Sequence, residues 1–179
     1  MSDYPFTVVI RACQAGDIGA IQKIYADAVL HGLASFELEP PTEMEMTARW
    51  NAVTGAGYPY LVAEVDGEVG GYAYAGAYRE RAAYRGTCES SVYIDEDHQR
   101  IGLGRRLMGE LIDQCTARGY RQMIAVIGDS GNAPSIELHR SLGFADVGTL
   151  RSVGWKHGQW LDVVLLQRAL GEGDSVPPD

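Results

Sequence analysis

Gln99-Arg100-Ile101-Gly102-Leu103-Gly104 stands between a predicted strand, Cys88 to Asp95, and a predicted helix, Leu103 to Ala117. Two glycines one residue apart let the backbone bend tightly and turn its N–H groups outward. At a helix N-terminus four such donors lack intrahelical partners, and the macrodipole there is positive. Phosphate and pyrophosphate bind such places, and Arg100, Arg105 and Arg106 add positive charge around this one. The stretch reads as a diphosphate cradle or as a plain turn before a helix. It is not a P-loop, because no Gly-Lys-Ser/Thr follows, and Leu107 occupies the third glycine's place in a dinucleotide motif.

Downstream, Leu103, Leu107, Leu111 and Cys115 recur every four residues with Met108 and Ile112 beside them, a core-facing helical stripe that ends at Arg118-Gly119. Gln122 to Ile127 is an apolar run bounded by polar residues, which predicts a buried parallel strand. Asn132 is a good N-cap for a helix that tolerates Pro134 in its first turn and ends at Gly143. Phe144 to Val153 and Gln159 to Arg168 read as two final strands around Trp155-Lys156-His157-Gly158.

Upstream, Val8 to Ala12 reads as a first strand and Asp17 as the cap of a helix with Ile18, Ile21, Ile24, Tyr25, Ala28 and Val29 on one face. His31 to Pro41 is a loop. Thr42 and Glu45 fit a capping box for a helix running to about Val53. Tyr60 to Val65 and Val69 to Tyr78 are strands joined by the hairpin signal Asp66-Gly67. Arg79 to Tyr84 is a polar connection to the strand that precedes the glycine loop. The order β-α-α-β-β-β-α-β-α-β-β predicts an α/β (α+β) layer fold with a mixed sheet of about seven strands and helices on both faces.

The 179 residues suit one domain, over residues 1–170, with a polar tail, 171–179, expected to be disordered. A formal net charge of -9 argues against a nucleic-acid surface but leaves room for a local basic pocket. Three cysteines, Cys13, Cys88 and Cys115, lack metal-ligand spacing and are odd in number, which suits reduced thiols in a cytoplasm. His98 and His157 have no spaced ligand partners, so no metal is expected. Met1 to Thr7 shows neither a basic start nor an apolar run, so no signal peptide or membrane span is expected.

The glycine loop resembles the Gln/Arg-x-x-Gly-x-Gly/Ala acyl-CoA signature of the GNAT superfamily of N-acetyltransferases. Asn132-Ala133-Pro134-Ser135, Leu138-His139 and Leu142-Gly143-Phe144 resemble a second block of that superfamily, in the right order and at about the right distance. The resemblance spans roughly Val8 to Leu170. Three further stretches are similar to the phosphinothricin and methionine sulfoximine acetyltransferases: Phe36 to Thr42, Glu89-Ser90-Ser91-Val92-Tyr93-Ile94 leading into His98-Gln99-Arg100, and Gly154 to Asp162.

The resemblance implies transfer of an acetyl group from acetyl-CoA to a primary amine by direct attack. Pyrophosphate would sit on the N–H groups of Arg100, Ile101, Gly102, Leu103, Gly104 and Arg105. The pantetheine arm would pair with Val92, Tyr93 and Ile94, and a backbone N–H near Tyr93 would polarise the thioester carbonyl. Asn132, with Ser135 in its block, would bind the pantetheine or a nearby water, a role compatible with capping its helix. Glu89 shares a strand face with Thr87, Ser91 and Tyr93 and is the candidate general base. His139 shares base duty or protonates the thiolate. Cys88 alternates to the other face and reads as a packing residue. Arg79, Arg81 and Arg85, with Lys156, would hold the acceptor's acid group, although Arg85 also suits a subunit contact. Phe36 would wall the acceptor pocket, and Glu89, Ser90 and Ser91 would help bind the acceptor. A homodimer is expected from relatives. The alternatives are another amine, such as a polyamine or a protein N-terminus, and a non-catalytic acyl-CoA sensor.

Overall fold

The computed structural model describes residues 6–177. The expectations about residues 1–5 and about Pro178 and Asp179 lie outside the described residues. Within them the chain runs β1 (Val8–Ala12), α1 (Ile18–Leu30), α2 (Glu43–Gly55), β2 (Tyr60–Val65), β3 (Glu68–Ala77), β4 (Thr87–Ile94), α3 (Leu103–Ala117), β5 (Gln122–Gly128), α4 (Ala133–Ser141), β6 (Ala145–Lys156) and β7 (Gln159–Ala169).

The strands form one seven-stranded sheet in the order β1-β2-β3-β4-β5-β7-β6. Neighbours are antiparallel except β4 and β5, which run parallel. A parallel pair needs a crossover, and α3 supplies it. The predicted stripe of α3 is the stripe that is buried: Leu103, Leu107, Met108, Leu111, Ile112 and Cys115. It joins Cys88, Met123, Ile136 and Phe144 in the larger core on one face. Each such apolar side chain contributes about 1.5–3 kcal/mol when fully buried. On the opposite face α1 and α2 pack over β2, β3 and β4, around a second core of Ile18, Ile21, Val29 and Tyr72.

Helix α2 is closed by the expected capping box: the Thr42 hydroxyl accepts from the Glu45 N–H at 3.2 Å, and the Thr42 N–H donates to the Glu45 carboxylate at 2.6 Å. Two expectations are corrected. Asp17 precedes α1 but makes no capping bond with it. Its carboxylate instead accepts two N–H groups of Arg11, at 2.7 and 2.8 Å, and the Gln14 N–H at 2.7 Å, because a guanidinium in reach outcompetes a single backbone donor. The strand expected over Phe144 to Val153 runs on to Lys156. The strand absorbs an irregularity between Leu150 and Gly154, with Ser152 at φ 53, and continues into the hairpin. Residues 171–174 form a turn, and Glu172 meets Arg121 at 3.2 Å.

Candidate active site

β4 and β5 pair only from Thr87↔Gln122 to Ser90↔Ala125, then part, although β4 continues to Ile94 and β5 to Gly128. The splay opens a narrow cleft of about 60 Å³, with Ser91, Val92, Tyr93, Asn132, Ser135 and His139 in its wall. Strand parity decides which backbone groups face it. The Gly86 carbonyl accepts from Gln122 on the β5 side, and the Asp95 N–H donates to Gly70 on the β3 side. Alternation therefore turns the N–H groups of Val92 and Ile94 into the cleft and that of Tyr93 toward β3. Of the backbone N–H groups near Tyr93, those of Val92 and Ile94 face the cleft and that of Tyr93 does not. The Tyr93 side chain packs edge-on to Tyr25 at 5.1 Å, and burial pushes its hydroxyl pKa well up.

Beyond the open end of the cleft lies the glycine loop. Arg100 and Gly102 adopt positive φ, 62° and 85°, on either side of Ile101, so successive N–H groups of the loop curl into a concavity of the kind that binds anions. Gly102 occupies the N-cap of α3 and no side chain caps it, which leaves the first-turn N–H groups of Leu103, Gly104 and Arg105 for a ligand. A Cβ on Gly104 would lie 3.0 Å from Leu138 Cδ2, so the glycine also lets α4 close against α3. The flanking cations divide. Arg105 donates to the Ser141 hydroxyl at 3.1 Å, and Arg106 to the Val8 carbonyl at 2.9 Å.

Asn132 caps α4, its Oδ1 accepting from the Ser135 N–H at 3.3 Å. One turn on, His139 is almost wholly buried, with its ring edge-on to Phe144 at 5.0 Å. Its Nδ1 lies 2.8 Å from the Ser135 carbonyl oxygen. A carbonyl only accepts, so Nδ1 carries the hydrogen and Nε2 keeps its lone pair. Burial lowers the imidazole pKa against the smaller opposing effect of that hydrogen bond.

Glu89 is half-buried on the other face of β4. Desolvation raises its carboxyl pKa, and Arg79 opposes the rise. His139 approaches from the α3–α4 side and Glu89 from the α1–α2 side, so the two candidate acid–base groups flank the sheet rather than touch. Ser91 shares the Glu89 face. Ser90 does not: its hydroxyl is buried on the α3 side, 3.4 Å from the Ile124 carbonyl. Arg79 lies over the Tyr78 ring at 5.1 Å, and Arg79, Arg81 and Arg85 are all exposed on the β3–β4 connection. Of these three, Arg79 has the electrostatic reach to Glu89.

Lys156 is placed otherwise than expected. It is 2 % exposed, and its Nζ donates to the Ser35 carbonyl at 2.7 Å, so its charge is committed to the loop after α1. That loop is further tied by Glu37, which accepts two N–H groups of Arg49, at 2.6 and 3.1 Å, and the Tyr25 hydroxyl at 2.8 Å. This network was not visible in the sequence; beside it the Phe36 ring lies against Gly128 and Gly154. Among the described residues no group of three or more His, Cys, Asp or Glu side chains is arranged to hold a metal ion, and no helix is long and apolar enough to cross a membrane.

A family model described as the acetyltransferase (GNAT) family matches residues 21–144. The phosphinothricin N-acetyltransferase of Alcaligenes faecalis is 51 % identical over 170 residues, 95 % of this chain and 86 % of the relative. The L-methionine sulfoximine/L-methionine sulfone acetyltransferase of Pseudomonas paraeruginosa is 42 % identical over 170 residues, 94 % and 98 % of the two chains. A crystal structure of a GNAT superfamily phosphinothricin acetyltransferase from Sinorhizobium meliloti in complex with AcCoA superposes with a TM-score of 0.94 at 46 % identity, covering 97 % of this chain and 94 % of the other.

Proposed function

Because the chain belongs to the acetyltransferase (GNAT) family and is an N-acetyltransferase of acetyl-CoA, we propose that it acetylates the primary amine of a small amino acid with an acidic or sulfoximine-like side group. The observation that carries this is the splay of β4 from β5, with an uncapped helix N-terminus at its open end and Glu89 and His139 on its two sides.

The cradle from Arg100 to Arg105 binds the pyrophosphate through backbone N–H groups. Val92 and Ile94 pair with the pantetheine amides across the gap that β5 leaves open, and Asn132 and Ser135 bound its other side. The Val92 N–H is the donor for the oxyanion that forms on the thioester carbonyl. Acetyl-CoA supplies an activated acyl carbon with a thiolate leaving group. Glu89 takes a proton from the acceptor's ammonium group, which frees the lone pair for attack. His139 Nε2 then accepts a proton from the attacking nitrogen as the C–S bond breaks and returns it to the departing sulfur. Arg79, Arg81 and Arg85 meet the acceptor's anionic group, and Phe36 and Ser91 bound its side chain.

Phosphinothricin, methionine sulfoximine and methionine sulfone are the acceptors named for the relatives at 42–51 % identity, and the arginine cluster disfavours a polycation. The three buried free cysteines suit a reducing cytoplasm. β6 is an edge strand on which Val147, Leu150, Val153 and Trp155 are exposed, with Trp160 of β7 beside them. An edge of this kind is normally covered, and a second copy of the chain in an isologous dimer covers it here. Mass spectrometry of the products tests the chemistry: one acetyl group on the α-nitrogen of methionine sulfone supports it, and acetyl-CoA that binds but acetylates no amine points to the sensor.

A further inference from the structure

Residues 34–36 bridge from α1 to the far end of the sheet, and three separate contacts fix them there. The Ala34 carbonyl oxygen lies so near Gly128 that a Cβ on that glycine would stand 2.5 Å from it. The Phe36 ring lies across two glycines: a Cβ on Gly128 would meet Cε1 at 2.9 Å, and one on Gly154 would meet Cε2 at 2.2 Å. Lys156 clamps the residue between them through the Ser35 carbonyl. Neither glycine has a positive φ, so backbone conformation does not call for glycine at either place. Room for the ring does.

The seat adjoins the site already described. Ala34 lines the cleft between β4 and β5 together with Tyr93 and His139. Val126, two residues before Gly128 on β5, points to the same face as the seat, and so does Glu89 on the neighbouring strand. The Phe36 ring remains 37 % exposed, so one side is packed on the glycines while the remainder borders open space.

We propose that Gly128, Gly154 and Lys156 are positioning residues that set how far Phe36 projects over the acceptor face, and that this projection selects the bulk of the acceptor's side chain. The inference rests on the proposed acceptor side of the cleft. A methyl group at 154 pushes the ring outward and narrows the space, and loss of the ring widens it.

The test is a panel of L-amino acids of graded side-chain bulk (alanine, methionine, methionine sulfone, phosphinothricin, phenylalanine) offered with acetyl-CoA to the full-length protein. Phe36→Ala is expected to raise kcat/KM for phenylalanine relative to methionine sulfone by about tenfold, and Gly154→Ala to shift the profile toward alanine by about fivefold. The KM for acetyl-CoA stays within twofold in both, which separates a moved wall from a damaged fold. In a Phe36→Ala background, Gly154→Ala adds less than twofold, because the ring it displaces is gone. Phe36→Trp leaves both glycines in place and reads the same axis should Gly154→Ala not fold. An unchanged profile in Phe36→Ala and Phe36→Trp, or a Gly154→Ala effect undiminished without the ring, overturns the proposal. A wild-type preference for a member other than the sulfone or phosphinothricin corrects the acceptor assignment alone, and the shift between variants still decides the seat.

Discussion

His139 holds its Nδ1 2.8 Å from the Ser135 carbonyl oxygen, one turn back along α4. The bond fixes the tautomer, and burial keeps the ring neutral by lowering its pKa. A neutral ring with an open Nε2 accepts a proton at pH 7 and returns it on demand. Replacing His139 by Ala is expected to lower kcat about 10²-fold, in the range typical of a lost acid–base group, with little change in acetyl-CoA affinity; stopped-flow thiol release and calorimetric titration check the two halves.

The same ring makes stability depend on pH. The unfolded chain binds the His139 proton near pH 6.5, and the folded chain binds it only at a lower pH. Stability from this group is therefore complete above pH 6.5 and declines as pH falls toward the folded-state value. His139→Gln removes that slope, seen as a flatter Tm between pH 7 and 5.5.

Glu89 carries the opposite sign. Desolvation raises its folded-state pKa above that of an ordinary carboxyl, so the ionised form that the proposed base would use is the form that folding disfavours. Glu89→Gln is expected to cut kcat about 10²-fold while raising Tm at pH 7–8. The gain in Tm shrinks as pH falls through the raised pKa and is gone below about pH 4.5, where both chains are neutral at this position.

Much of this site is local in sequence and was legible there. The glycine loop, the α3 stripe, the Asn132 cap and the Thr42–Glu45 box each depend on residues within one or two turns. What escaped depends on pairs far apart in the chain. Lys156 looks like a free hairpin cation until the fold brings Ser35, 121 residues away, onto it; Asp17, by contrast, looks like a helix cap until the turn after β1 folds Arg11, six residues back, against it. The proposed oxyanion donor is Val92 rather than Tyr93 because hydrogen-bond parity is set by the neighbouring strands, Gly70 on one side and Gln122 on the other, and one strand's sequence carries no record of it.

Gly102 sits at φ 85 with open space where a Cβ would stand, so Gly102→Ala meets no clash and its effect is conformational. A non-glycine residue in the left-handed region costs about 1–2 kcal/mol, a fall in Tm of roughly 3–6 °C for a chain of this size. Relaxation of the loop also turns N–H groups out of the cradle, and the Kd for acetyl-CoA is expected to rise about tenfold. A Kd unchanged in Gly102→Ala would remove this loop from the cofactor site.

Asp17 contributes at the opposite end of the sheet. Three N–H groups hold its carboxylate and depress its pKa, the Arg11 hydrogen bonds most of all. Asp17→Asn is expected to cost roughly 1–3 kcal/mol at pH 7 without changing kcat. Because the folded-state pKa is lowered, the advantage of the wild-type chain is full above about pH 4 and is lost as pH falls through the depressed value; urea titrations at pH 7 and pH 3 measure it.

Steady-state thiol release from acetyl-CoA with methionine sulfone, phosphinothricin, methionine and spermidine at equal concentration decides which acceptor the site takes. The highest kcat/KM is expected for the sulfone or phosphinothricin, and loss of that preference when Arg79 is replaced by Ala. Turnover with spermidine alone would contradict the acceptor assignment.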